Sequence, residues 1–248
     1  GVRGRKPVDL VALEQLMVRF SQLVCDQPLI KEIDINPLVA SSERIIALDA
    51  RVVLVDPKVD ASTVKQNLDI RPYPSPYVQA WTAKSGEKLA IRPIRPEDEP
   101  LVKNFHETLS ERSVVLRYMQ PLGLVQRVAH ERLARICFID YDREIALLGI
   151  HKDPATNQRQ IVGIGRLVKV PNTETGRFNL LIADSFQGKG LGHELLTSLI
   201  GFARDEKLSK VVGTIMTEDP RIQHICEEYG FSIKPLDANT AVVELNLS

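Results

Sequence analysis

No stretch of the chain approaches the roughly 18 consecutive apolar residues of a membrane-spanning helix, and no signal peptide is legible. Neither a membrane span nor a membrane partner is expected. An excess of one charge is also missing: Lys plus Arg and Asp plus Glu are both 32, which argues against a nucleic-acid partner. Cysteine is scarce. Cys25, Cys137 and Cys226 lie far apart, with neither metal-ligand spacing nor a disulfide framework, which points to a reducing, cytoplasmic compartment and to no bound metal. An initiator Met is lacking too; the chain opens GVRGRKP, as expected of a piece cut from a longer protein. Internal repeats and low-complexity tracts are absent. What is present is 44% hydrophobic and 26% charged residues, the balance of a packed core under a solvated surface.

Three segments differ in character. In residues 8–26, Leu10, Leu13, Met17, Phe20 and Val24 alternate spacings of three and four, predicting a helix with one buried face. Pro28 ends it. IKEIDINPLVA and RIIALDARVVL then read as two strands joined by SSE. Residues 57–86 contain RPYPSPY, and proline fixes the backbone and removes donors, so a linker is expected there, with Tyr73, Tyr77 and Trp81 as anchors. From residue 87 the order is strand (KLAIRPIR), helices (PEDEPLVKNFHETL, SERSVVLRYM, LVQRVAHERLARICF), then three strands separated by the turns DPATNQ and PNTETG. A helix over 191–207 follows, with Leu191, Leu195, Leu196, Leu199, Ile200 and Ala203 on one face. A strand (KVVGTIMT), a helix (DPRIQHICEEY) and two strands close the chain. That order predicts a mixed α/β fold (α+β in type), not a uniformly parallel sheet.

The stretch LLIADSFQGKGLG carries the functional signal. A strand that stops where a helix starts leaves backbone N–H groups without partners, and these attract anions. Glycines at 188, 190 and 192 allow close approach of a phosphate. A plain structural turn is the other reading. The Rossmann spacing G-x-G-x-x-G is not met, and a P-loop is absent. The pattern Q/R-x-x-G-x-G/A is met by Gln187, Gly190 and Gly192.

That pattern, between strand and helix, resembles the pyrophosphate loop of the GNAT acetyltransferases, and the resemblance spans roughly residues 87–248. Element order agrees, as does EYGF at Glu228 to Phe231. KLAIRPIRPEDEP and IDYDREIAL resemble, more narrowly, the acetyltransferase domain of bacterial protein lysine acetyltransferases joined to an acyl-CoA synthetase module. GVRGRKPVDLVALEQLMVRFSQLV and EIDINPLVA…ALDARV resemble the last helix and hairpin of an ATP-grasp subdomain. The resemblance implies a mainly antiparallel sheet flanked by helices over 87–248, an ATP-grasp-like remnant over 1–56 and a linker between them. In ATP-grasp relatives, residues placed like Asn36 and Asp49 hold nucleotide-bound Mg²⁺; here a structural remnant is the other reading.

The resemblance further implies acyl transfer from acetyl-CoA to an amine. The partners are then acetyl-CoA and a protein bearing a reactive lysine, with an acyl-CoA synthetase as a natural target. Gln187, Gly188, Lys189, Gly190, Leu191, Gly192 and His193 would form the pyrophosphate loop. Backbone groups of Leu181, Ile182 and Ala183 would pair with the pantetheine arm and polarise the thioester. Asp219 stands where the family has a CoA-contacting Asn. The family's Glu on the strand before the loop is matched by Arg177, so Glu174, three residues earlier, is the first candidate base, followed by Glu144, Asp140 and Asp142. The family's Tyr, which returns a proton to the thiolate, is matched by Cys226, a candidate acid or else a buried core residue. Tyr229 lies nearby, Asp184 is expected to order the loop, and His224 reads as a surface residue. A non-catalytic acyl-CoA module and a small-molecule amine acetyltransferase are the alternatives.

Overall fold

The computed structural model describes residues 6–27, 29–56, 58, 71–154 and 156–247. The chain divides into two compact units, Gly1–Pro72 and Tyr73–Ser248. Most of the segment read as a linker before residue 71 lies outside the described residues. Among the described residues, no helix is long and apolar enough to cross a membrane.

In the first unit, helix α1 (Leu10–Asp26) starts where Asp9 accepts a hydrogen bond from Ala12 N–H (3.0 Å). Its apolar stripe departs from expectation: Leu10 is 65% and Met17 63% exposed. The two expected strands are each broken in two. β1 (Ile30–Asp34) pairs with β4 (Arg51–Leu54), and β2 (Leu38–Ala40) with β3 (Ile45–Ala47), all antiparallel. The break has a cause in the sequence, because Pro37 has no N–H for a ladder. The partner pairs Asp34↔Arg51 and Leu38↔Ala47 keep one register across the break, which sets Asn36 and Asp49 at the same rung.

The second unit is an eight-stranded sheet in the order β11-β12-β10-β9-β8-β7-β6-β5, flanked by helices. Its strands are β5 (Gln79–Thr82), β6 (Lys88–Pro93), β7 (Glu144–Lys152), β8 (Arg159–Lys169), β9 (Thr175–Ile182), β10 (Lys210–Met216), β11 (Ser232–Pro235) and β12 (Thr240–Asn246). The helices are α2 (Glu99–Glu107), α3 (Glu111–Tyr118), α4 (Leu124–Arg127), α5 (His130–Cys137), α6 (Leu191–Asp205) and α7 (Pro220–Glu228). All neighbouring strands run antiparallel except β9 and β10. One expected boundary is corrected. Residues 79–82, read as linker, form the edge strand β5, and the linker's aromatics are why. Trp81 packs on the core, and Tyr77 meets the Phe202 ring edge-on at 5.4 Å.

Each expected core position of α6 is buried, from Leu191 to Ala203. The RPIRPED motif closes on itself. Arg92 donates to both oxygens of Asp98 (2.6 and 2.7 Å), and Asp98 also accepts from Arg95 N–H at 2.8 Å. Asp98 is 4% exposed, so this bidentate pair is nearly dry.

His106 is also buried, and among the described residues its Nδ1 has no hydrogen-bond partner. Burial, then the charges of Arg127, Arg132 and Arg117, push its pKa down to about 4. The unfolded chain takes up that proton near pH 6.5. The neutral imidazole's contribution is therefore present above pH 6.5 and lost as pH falls toward 4, about 3 kcal/mol in all. Urea unfolding at pH 7 and 4.5 is expected to show a pH-dependent loss about 2 to 3 kcal/mol smaller in His106→Leu than in the parent. Equal losses in the two proteins would contradict it.

Candidate active site

β9 pairs with β8 in unbroken register from Gly163↔Ile182 to Lys169↔Gly176. Just past the ends, Ala183 N–H donates to Val162 C=O (2.9 Å) and Val170 N–H to Thr175 C=O (2.8 Å). In an antiparallel ladder alternate residues bond to the same neighbour. The odd-numbered residues of β9 therefore serve β8, while Phe178, Leu180 and Ile182 turn their backbone groups the other way. On that side β10 is parallel, but pairing covers only Lys210↔Thr175, Val211↔Gly176 and Val212↔Arg177. Both strands run on beyond the last pair, to Ile182 and Met216, and so diverge. The Phe178 ring covers Gly213 there; a Cβ at 213 would stand 2.6 Å from it. The gap opens into a cleft of ≈ 310 Å³ walled by β9, β10, the glycine loop, and the starts of α6 and α7, with Ser113, Leu116 and Arg117 of α3.

The loop builds the cleft's mouth. Gly188 and Gly190 have φ of 75° and 93°, a region that disfavours any residue with a Cβ. Gly190 caps α6, with no side chain bonded to the helix's first N–H groups. Among the described residues, the backbone N–H groups of 188–193 have no protein acceptor; the first intrahelical bond runs from Glu194 N–H to Gly190 C=O at 3.2 Å. These donors and the helix dipole make an anion cradle, and Lys84, His193, Arg221 and His224 line the cleft around it. Gln187 braces the loop: its amide N–H donates to Ser113 Oγ and to Ile182 C=O (both 3.1 Å), and its oxygen accepts from Arg221. Asp184 orders the strand end. It accepts from Ser110 N–H (3.0 Å), Ser110 Oγ (2.7 Å) and Ser113 Oγ (2.8 Å). Burial works against its charge, but those hydrogen bonds outweigh it and hold the carboxyl below its ordinary range.

Several expected roles are corrected by this geometry. Of Leu181, Ile182 and Ala183, only Ile182 turns its backbone groups to the gap, and its carbonyl is taken by Gln187; Leu181 and Ala183 bond to β8, although Leu181 also lines the cleft. Leu180 is the residue that parity adds. Lys189 turns away from the cleft, binding Glu87 at 2.5 Å and lying over the Phe186 ring at 4.4 Å. That hydrogen bond, helped by Ser85, lowers the Glu87 carboxyl to about 2. Leu191 is 1% exposed, so only its backbone is on offer. His193 lines the cleft with its ring hydrogen-bonded to Glu228, a carboxyl lowered chiefly by that bond; His224 lies 3.2 Å from the same Glu228. Asp219 lines the cleft as well, but its carboxylate caps α7 through Arg221 N–H (3.1 Å).

The acid–base candidates fare worse. Glu174 lies just before β9, at the end where the ladder to β10 is intact. Its carbonyl accepts from Ser209 N–H (2.8 Å), and it does not line the cleft. Seven residues of extended chain, roughly 23 Å, separate it from Leu181. Cys226 is 0% exposed, and burial pushes its thiol up to about 12, which suits a core residue and not a proton donor. Tyr229 is bonded to Thr197 and to the His193 carbonyl (3.1 Å). Glu144 pairs with Arg166 (3.3 Å) and Asp140 with Arg143 (3.3 Å); neither these nor Asp142 lines the cleft. Lys84, Leu180 and Arg117 were missed from sequence. Lys84 fell inside the supposed linker, and Arg117 lies on a helix with no motif to mark it.

The model of the Acetyltransferase (GNAT) domain family matches residues 88–232, more than half of the chain. The chain belongs to the GNAT acetyltransferase family. Its class is that of the N-acetyltransferases, with acetyl-CoA as cosubstrate. An acetyltransferase of Pseudomonas aeruginosa is 26% identical over 147 residues, covering 59% of this GNAT chain and 76% of that protein. The GNAT domain of S. lividans PAT superposes with a TM-score of 0.61 at 17% identity, over 70% of this chain and 99% of that one. RimJ of Mycobacterium smegmatis, in complex with CoA-disulfide, gives 0.54 at 13% identity, over 68% and 86%. The ATP-grasp domain model matches residues 1–54. Over 54 residues the chain is 48% identical to the beta subunit of an ADP-forming acetate–CoA ligase of Pyrococcus furiosus, which is 22% of this chain and 23% of that subunit.

Proposed function

We propose that the chain transfers an acetyl group from acetyl-CoA to the side-chain amine of a protein lysine, directly, within a ternary complex. The observation that carries this reading is the row of free N–H groups at 188–193, opening onto the gap between β9 and β10. The pyrophosphate lies on the cradle, and the pantetheine arm extends the unpaired edge of β9 through Phe178, Leu180 and Ile182. Backbone N–H groups on that edge polarise the thioester carbonyl. The amine nitrogen then attacks, the C–N bond forms, the C–S bond breaks, and CoA leaves as the thiolate. With Arg177 where a Glu was expected and Cys226 buried, water takes the amine's proton and water returns one to the thiolate.

Two features favour a protein acceptor of the acyl-CoA synthetase kind: the fold shared with the S. lividans PAT domain, and the ligase-like residues 1–54. A reducing cytoplasm suits a chain with three widely separated cysteines. Incubation with acetyl-CoA and candidate acyl-CoA synthetases, followed by mass spectrometry, is expected to reveal acetylation of a synthetase lysine. Acetyl-CoA binding without transfer to any protein would contradict it.

A further inference from the structure

Arg117 lines the cleft one helical turn beyond Ser113, whose hydroxyl meets Gln187 of the loop, and Arg166 near it pairs with Asn179, three residues before the strand end at Ile182. Arg117, Arg127, Arg132 and Arg166 gather near His106 and Tyr118. Two of the four are fixed by hydrogen bonds. Arg127 donates to the carbonyls of Leu122 (3.1 Å) and His106 (2.6 Å). Arg166 donates to the Ile136 carbonyl (2.7 Å) and pairs with Glu144. Arg132 lies over the Tyr118 ring at 5.2 Å, although its buried Nε lacks a partner. Arg117 lines the cleft and lies 5.0 Å from the same ring; among the described residues it has no hydrogen bond and no carboxylate partner. Among the described residues, Glu144 is the one carboxylate that forms an ion pair with any of these four guanidinium groups. Burial and the neighbouring charges of Arg166 and Arg132 make the Arg117 cation costly to hold as it stands.

A half-buried guanidinium facing a cleft, without a counter-charge of its own, is built to take an anion bidentately. The phosphates of CoA are claimed by the cradle. We infer that Arg117 binds a carboxylate brought to the acyl end of the cleft, by the acyl chain of the thioester or by the acceptor beside its amine. This rests on the reading of the cleft as an acyl-CoA site and adds the selectivity of that site. The carboxylate neutralises the cluster, so a partner bearing one is favoured over its uncharged isostere. Arg117 alone of the four guanidinium groups lines the cleft.

Two ratios test the assignment and separate the sources. The first is the kcat/KM for succinyl-CoA over that for butyryl-CoA, with one amine acceptor. The second, with acetyl-CoA fixed, is that for a lysine peptide flanked by Glu over one flanked by Gln. At least one ratio is expected to exceed tenfold, to fall to about twofold or less in Arg117→Gln, and to recover partly in Arg117→Lys. Each ratio is internal to one protein, so a loss of folded material does not alter it. Both ratios near one, or a preference that survives Arg117→Gln, overturns the inference alone, provided calorimetry shows CoA itself bound. Failure of CoA to bind overturns the underlying reading and this one with it.

Discussion

Gly190→Val is expected to weaken acetyl-CoA binding at least tenfold, as read by calorimetry. The cause is conformational before it is steric. Gly190 holds φ at 93°, where a β-branched residue is strained by about 1 to 2 kcal/mol or more, and about 1.4 kcal/mol is already tenfold. Relieving the strain rotates the peptide groups on either side, which are the donors of the cradle. A Cβ at 190 would touch Lys84 at 3.5 Å and Trp81 at 3.6 Å, ordinary contacts, so the fold itself is spared. Gly201 is the control: it sits within α6, a Cβ there meets nothing within 4 Å, and Gly201→Ala is expected to leave affinity unchanged. Unchanged affinity in Gly190→Val would refute the cradle.

Asp98→Ala is expected to cost on the order of 3 to 5 kcal/mol of stability in urea unfolding. Arg92 is only 17% exposed at its side chain, and removing its partner leaves a guanidinium with the Pro93 carbonyl (2.9 Å) and the Tyr73 hydroxyl but no counter-charge. The Arg95 N–H loses its acceptor too. Replacing both members, as Arg92→Met with Asp98→Ala, is expected to restore a large part of the loss, because the cost is that of the orphaned charge. A loss under about 1 kcal/mol in the single variant would show the pair to be solvated.

The two variants mark how far sequence reasoning reached. Periodicity placed α6 and its buried face from Leu191 to Ala203, since burial there follows a 3.6-residue repeat and nothing overrides it. The glycine loop was legible because the demand for φ above zero and close approach restricts residue choice. Failures cluster where the answer depends on a distant segment. The stripe of α1, exposed at Leu10 and Met17, obeys the same repeat as a buried one. Residues 79–82 look like linker beside RPYPSPY, and only pairing with β6 makes them a strand. Leu181 and Leu180 differ by strand parity, which is set by hydrogen bonds to β8 and not by residue type. Cys226 is a candidate by its count from the GF pair and Glu174 by its count from the loop, but depth in the core removes one and strand direction the other. Arg117 carries no local signal at all, since its lack of a counter-charge is a property of four elements packed together.

Hydrogen exchange at single-amide resolution, with and without acetyl-CoA, tests the binding site most directly. Saturating acetyl-CoA is expected to slow exchange at the amides of 188–193, which have no acceptor among the described residues, and at Leu180 and Ile182 on the unpaired edge of β9. Binding that leaves those amides as fast as before, with protection confined to other segments, would place the ligand elsewhere and contradict the assignment of this cleft.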